Sequence, residues 1–171
     1  MSSDPFAHKD LGESVLVSET GLGRLQMAVR SGSYAFLADE PRAVGGLGSG
    51  PDPYGMLAAA LGTCTAMTLR LYAERQGWPL ERVQVRIQHH RASLEARDLF
   101  EREIYLEGPL DQAQRARLVE IAERCPVHKT LDRGADVRTT LASPEAPAAA
   151  VGDEGSEHMR DMEQASASAG V

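Results

Sequence analysis

Hydrophobic and polar positions divide this chain into stretches of two different periods. Residues 14–19 (SVLVSE) have strand composition and run into the turn-like TGLG. Residues 25–29 and 34–37 read as two more short strands, with SGS as the hairpin turn between them. The Gly/Pro-rich DEPRAVGGLGSGPDP that follows is a loop leading into a helix. That helix takes Pro53 in its first turn, where the missing N–H costs nothing, and stops at Gly77 and Pro79. Alternation returns at Val83, Val85 and Ile87, then at Phe100, Ile104 and Leu106, as two antiparallel strands joined by a charged turn over 95–98. A second helix opens at Asp111, whose carboxylate can accept from the Gln114 amide in a capping box. Leu118, Ile121, Ala122 and Cys125 line one face of it, and Pro126 forces helical backbone to end at Cys125. Residues 137–141 read as a last strand.

Strands, long helix, strands, helix and strand make an α+β order. The first helix is apolar on nearly every face between Met56 and Leu69, more than one small sheet covers. Part of that surface is therefore expected to meet a second chain, as in an obligate dimer. The uncharged run over 53–69 is short for a bilayer and holds Gly62, Thr63, Thr65 and Thr68, so it reads as a core helix and not a membrane span.

With 171 residues the chain is long enough for one well-filled domain, expected over 14–142. Residues 1–13 read as a flexible N-terminus without a basic, apolar secretory signal, which places the protein in the cytoplasm. Residues 143–171 are Ala, Ser, Gly, Pro and acid, and are expected to be mostly disordered. The formal charge is −7, and most of it sits in that tail, where six acids face Arg160 alone. The nearly neutral body gives no electrostatic footprint for nucleic acid or for an anionic membrane. The 45–50 glycine stretch lacks the GK[ST] ending of a phosphate loop.

Candidate chemistry rests on two cysteines, Cys64 and Cys125. A buried free cysteine is most often a small hydrophobe, but a thiol pair in a reducing compartment persists as a working pair. Cys64 lies about three turns into its helix, beyond reach of the N-terminal dipole, and burial alone would silence it. A cation must therefore come from elsewhere. Arg70 is about 9 Å along the axis and out of phase, so Arg24 on the early hairpin is the preferred candidate. Cys125, at the negative end of its helix, reads as a poor first attacker but an adequate second thiol. His128, His89 and His90 offer an alternative zinc site, but no CxxC supports it and no metal or other cofactor is expected.

The blocks GGLGSGPDPYGMLAAALGTCTAMTLRLYA and LDQAQRARLVEIAERCPVHKTL, some sixty residues apart, resemble the OsmC/Ohr superfamily of thiol peroxidases, and in particular its OsmC-like branch. The resemblance implies a domain-swapped homodimer in which antiparallel sheets wrap two long central helices. It maps the peroxidatic cysteine onto Cys64 and the resolving cysteine onto Cys125. The implied activity is reduction of organic hydroperoxides through a Cys64 sulfenic acid and a Cys64–Cys125 disulfide, recycled by a dithiol such as a lipoyl protein. One departure stands out. Where peroxidase-type members carry a glutamate that orients the activating arginine, this chain has Tyr54 and then Gly55, leaving Glu40 of ADEP as the substitute acid. A hydrophobic-ligand-binding or stress protein with weak or no peroxidase activity is the alternative.

Overall fold

The computed structural model describes residues 14–142 and 157–168. Its elements are β1 (Val15–Glu19), β2 (Met27–Ser31), β3 (Tyr34–Ala38), α1 (Pro53–Gln76), β4 (Arg82–His90), β5 (Leu99–Glu107), α2 (Gln112–Ala122), α3 (Pro126–Arg133) and α4 (Glu157–Ala167). The chain divides into two compact units: Met1–Asp52 with Thr139–Glu157, and Pro53–Arg138 with His158–Val171.

In the first unit β1, β2 and β3 form an antiparallel meander, with Val17 opposite Val29 and Val29 opposite Phe36. Ser31 pairs with Tyr34, so Gly32 and Ser33 alone make the turn, and Gly32 takes the left-handed conformation (φ 57°) that such a tight hairpin requires. All five residues of β1 are exposed, as are Tyr34, Phe36 and Leu37 of β3. The loop beyond β3 is knotted around Asp39. Its carboxylate accepts from the amides of Glu40 (2.8 Å), Leu47 (3.0 Å) and Ser49 (3.3 Å) and from the Ser49 hydroxyl (2.8 Å). Burial pushes this carboxyl's pKa up, but the bonds from Ser49, Glu40 and Leu47 outweigh it and hold the group below its ordinary value. The loop passes so close to β3 that a Cβ on Gly50 would stand 1.9 Å from the Leu37 carbonyl oxygen.

In the second unit α1 starts at Pro53 as its sequence indicates. By length and composition it would suit a bilayer span, yet it buries Leu61, Cys64, Thr65, Thr68, Leu69, Tyr72 and Ala73, which makes it a core helix. Beside it β4 and β5 pair antiparallel. Their outer faces set Arg82 against Glu107 (3.7 Å) and Arg86 against Glu103 (3.4 Å). Their inner faces set Val83, Val85, Ile87 and His89 against Leu106, Ile104, Arg102 and Phe100. The Asp111 capping box opens α2, with Asp111 accepting from the Gln114 amide at 2.7 Å and Gln114 accepting in return at 3.0 Å. Leu118 and Ile121 then join Leu69, Tyr72 and Leu80 in the main core, against which Trp78, Val83 and Ile104 pack.

Three expectations are corrected. Residues 137–141 form no strand: they pair with none of the described strands, and Val137 and Leu141 stand exposed, so the alternation there has no sheet face to bury against. The second helix does not run to Cys125: α2 ends at Ala122, and a separate helix, α3, begins at Pro126. Within the tail expected to be disordered, Glu157–Ala167 is helical and buries Met162, Ala165 and Ser166. Arg75 donates to the Glu163 carbonyl (2.8 Å) and Arg124 to that of Ser168 (3.2 Å), giving the helix fixed partners that composition alone does not reveal. The expected flexible segment 1–13 and the rest of the tail lie outside the described residues.

Candidate active site

The core spacing of α1 turns Cys64 inward together with Leu61, Thr65 and Thr68. Cys125 arrives from the other side for a different local reason. Pro126 cannot occupy the interior of a helix but suits a first helical position, so α2 must stop and α3 start around it. Cys125 becomes the residue preceding α3, with extended backbone (φ −52°, ψ 128°). The two sulfurs meet at 2.7 Å, sharing an S–H···S hydrogen bond as free thiols, and at 1% and 0% exposure both are shut off from solvent. Leu61, Ile87, Phe100, Val127 and Leu131 close around them.

This geometry reverses the electrostatic expectation for Cys125. It sits at the positive end of α3, not the negative end of α2. Its hydrogen bond with Cys64 pulls its pKa down most; burial opposes this, and the His128 amide, the Thr65 hydroxyl and the Val127 amide add to the lowering, leaving the thiol at about 6. The same hydrogen bond to Cys125, then burial, push Cys64 up. The resting negative charge of the pair is therefore drawn to Cys125, and Cys64 retains the shared proton.

An arginine that sequence reasoning missed stands beside the thiols. Arg102 of β5 is only 10% exposed and points inward. It donates to the Thr65 hydroxyl (3.1 Å), to the Ala122 carbonyl (3.1 Å) and to Glu123 (2.6 Å). Glu123 in turn pairs with His128 at 3.2 Å. The signal was legible: in Phe100, Arg102, Ile104 and Leu106, a charge occupies an inward position of an alternating strand.

A cleft of about 840 Å³ opens on the same shell. Leu57, Leu61, Leu99, Phe100 and Leu131 give it apolar walls, while Arg102, Glu123 and His128 lie among its polar groups. Tyr54 also lines it, stacked on His89 (4.3 Å between ring centres) and accepting from Arg91 at 2.8 Å. The histidines considered for zinc go to different carboxylates: His89 to Asp98 (2.7 Å), His90 to Glu101 (3.2 Å) and His128 to Glu123. Among the described residues no three His, Cys, Asp or Glu side chains converge as a metal-binding set.

The family model for OsmC-like proteins matches residues 46–140, more than half of the chain and both cysteine blocks. The chain belongs to the OsmC family. Solved OsmC-family structures share its fold. An OsmC-like protein from Mycoplasma pneumoniae is 17% identical, with a TM-score of 0.60 over 72% of this chain and 89% of that one. The organic hydroperoxide resistance protein OsmC of Legionella pneumophila is 22% identical, with a TM-score of 0.53 over 72% and 91%. The organic hydroperoxide resistance protein OhrB of Bacillus subtilis is 21% identical, with a TM-score of 0.50 over 69% and 88%. No curated protein sequence matches the chain. Within the OsmC family match, Cys64 and Cys125 are brought together, whereas Arg24 and Glu40 precede the matched segment. Both belong to the first unit, where the Arg24 guanidinium lies close to Gly45 and the Glu40 amide serves the Asp39 knot.

Proposed function

We propose that this OsmC-family chain is a cysteine-dependent peroxidase that reduces organic hydroperoxides in the cytoplasm. The observation that carries the reading is the 2.7 Å approach of two buried sulfurs sixty-one residues apart, close to the ~2.05 Å of a disulfide without rearrangement of the fold. The cleft beside them, with leucine and phenylalanine walls among its charged groups, suits an organic hydroperoxide, and the Legionella and Bacillus relatives are named for organic hydroperoxide resistance.

Attack by Cys64 follows the OsmC pattern of the first cysteine block. The Cys125 thiolate takes the Cys64 proton across the S···S contact, and the Cys64 thiolate attacks the terminal peroxide oxygen. An S–O bond forms, the O–O bond breaks, and the leaving alkoxide takes the proton that Cys125 now holds, becoming the alcohol. Cys125, again ionised, attacks the sulfur of the Cys64 sulfenic acid; the S–S bond forms, the S–O bond breaks, and hydroxide leaves to take a proton from solvent. An external dithiol, for which a lipoyl group is the candidate, returns both thiols by exchange. Arg24 and Glu40 remain the proposed candidates for activating Cys64. The exposed apolar residues of β1 and β3, with Leu57 and Met67 on the open face of α1, support an intertwined homodimer in which a second copy covers them.

Intact-mass analysis after stoichiometric cumene hydroperoxide should show loss of two hydrogens in the wild type. Cys64→Ser should abolish turnover, and Cys125→Ser should accumulate the sulfenic form; no reaction of the wild type would remove the mechanism. The cleft also favours a second reading, a carrier of a hydrophobic ligand. In that case Cys64→Ala would clear peroxide as the wild type does. Light scattering that finds a stable monomer would remove the dimer.

A further inference from the structure

Arg102 is the one feature of the thiol surroundings that the proposed chemistry leaves without a task. On an inward strand face whose other members are apolar or aromatic, a guanidinium is costly unless every donor finds an acceptor. Two of its partners, the Ala122 carbonyl and Glu123, close the end of α2 and would satisfy a purely structural arginine. The third does not fit that role. Thr65 lies on α1 next to Cys64, and the Ala122 carbonyl that Arg102 also holds accepts from the Cys125 amide at 3.3 Å, so the guanidinium is bonded beside each of the two sulfurs.

We infer that Arg102 is a positioning residue for the dithiol, holding the Thr65 hydroxyl so that negative charge on the sulfur pair is met by a cation one hydroxyl away. A hydroxyl has one proton and two acceptor lone pairs. Arg102 occupies a lone pair of Thr65 Oγ1, and the Thr65 proton goes to the Leu61 carbonyl, 2.7 Å away; turned toward the dithiol instead, the same hydroxyl favours the ionised Cys125. When the pair ionises, rotation of the hydroxyl redirects that proton to sulfur, and the guanidinium behind it strengthens the donation. Glu123 opposes the effect, because its carboxylate neutralises part of the guanidinium charge at 2.6 Å. His128 of α3 bears on Glu123 from the other side. The strand β4 contributes Ile87 to the thiol shell, and its His89 is engaged by Asp98. Arg102, Glu123 and His128 are thus the ionisable groups linked to one another beside the thiols, and Arg97, Asp98 and Asp132 line the same cleft.

The inference rests on the dithiol being a working pair, but its test needs no peroxide. Thiolate absorbance near 240 nm is followed against pH in the reduced full-length protein, with the rate of iodoacetamide labelling as a second readout. Arg102→Gln and Thr65→Val should each raise the first ionisation midpoint by about one pH unit. Glu123→Gln should lower it, and Thr65→Ser, which keeps the hydroxyl, should restore it. The bare field of the two charges would also give opposite signs at Arg102 and Glu123, so the Thr65→Val shift with both charges in place, and its reversal in Thr65→Ser, are what separate positioning through the hydroxyl from a field effect. Should Arg102→Gln fail to fold, the Thr65→Val and Thr65→Ser pair decides alone. Midpoints that stay at the wild-type value in both Thr65→Val and Arg102→Gln would overturn the inference. Failure of the peroxidase reading would appear instead as an unchanged mass after hydroperoxide, with these midpoints still displaced.

Discussion

If Cys125 carries the resting charge, stability must depend on pH with a particular shape. The folded pair loses its first proton near pH 6, whereas both thiols of the unfolded chain stay protonated until about 8.5. A thiol whose pKa is depressed on folding adds stability that is fully present above the unfolded value and is lost as pH falls through the folded one. Between pH 6 and 8.5 the unfolded chain therefore holds one more proton than the folded protein. Stability should climb by about 1.4 kcal/mol per pH unit, some 3 kcal/mol in all. Above about 8.5 the sign reverses, because the unfolded chain releases both protons while Cys64, pushed up by its partner and by burial, keeps its own. Urea unfolding of the reduced protein, at half-unit steps from pH 5.5 to 9.5, measures this directly. The diagnostic quantity is the difference between the wild type and Cys125→Ser, which isolates the thiol from other groups; it should grow across the window and then shrink. Parallel curves for the two proteins between pH 6 and 8.5 would refute the assignment of charge to Cys125.

Other outcomes follow from particular contacts. Leu118→Ala removes a fully buried side chain from the main core and should cost about 2–5 kcal/mol by urea unfolding. Asp39→Asn should lower the melting temperature at neutral pH. Because the Asp39 pKa is depressed on folding, its contribution is present above the unfolded value near 3.9 and fades as pH falls, so the gap to the wild type should close below pH 4. Met162→Ala should release α4 without unfolding the rest, seen as faster tryptic cleavage after Arg160 with an unchanged main transition.

How far the sequence could be read depended on how local each cause was. The capping box at Asp111, the proline start of α1, the tight turn at Gly32 and the alternation of β4 and β5 rest on forces acting within a few residues, and each appears as its pattern implied. The two cysteine blocks were legible as motifs; that Cys64 faces inward was not, because α1 is apolar on nearly every face and only packing selects the buried one. Pro126 marks Cys125 as a boundary. What the pattern could not say is which side of that boundary Cys125 serves. A proline that ends one helix can equally begin the next, and only the chain beyond it, folding back as α3, placed the thiol at a positive helix end. Likewise the polar composition of 157–167 predicts no helix until Arg75 and Arg124 supply partners from distant positions. Local preference chose the elements of this protein. The ionisation of its thiols was decided by groups from α1, β5 and α3 that meet only when the chain is folded, because a charge in a dry interior responds to whatever stands within a few ångströms, whatever its separation in sequence.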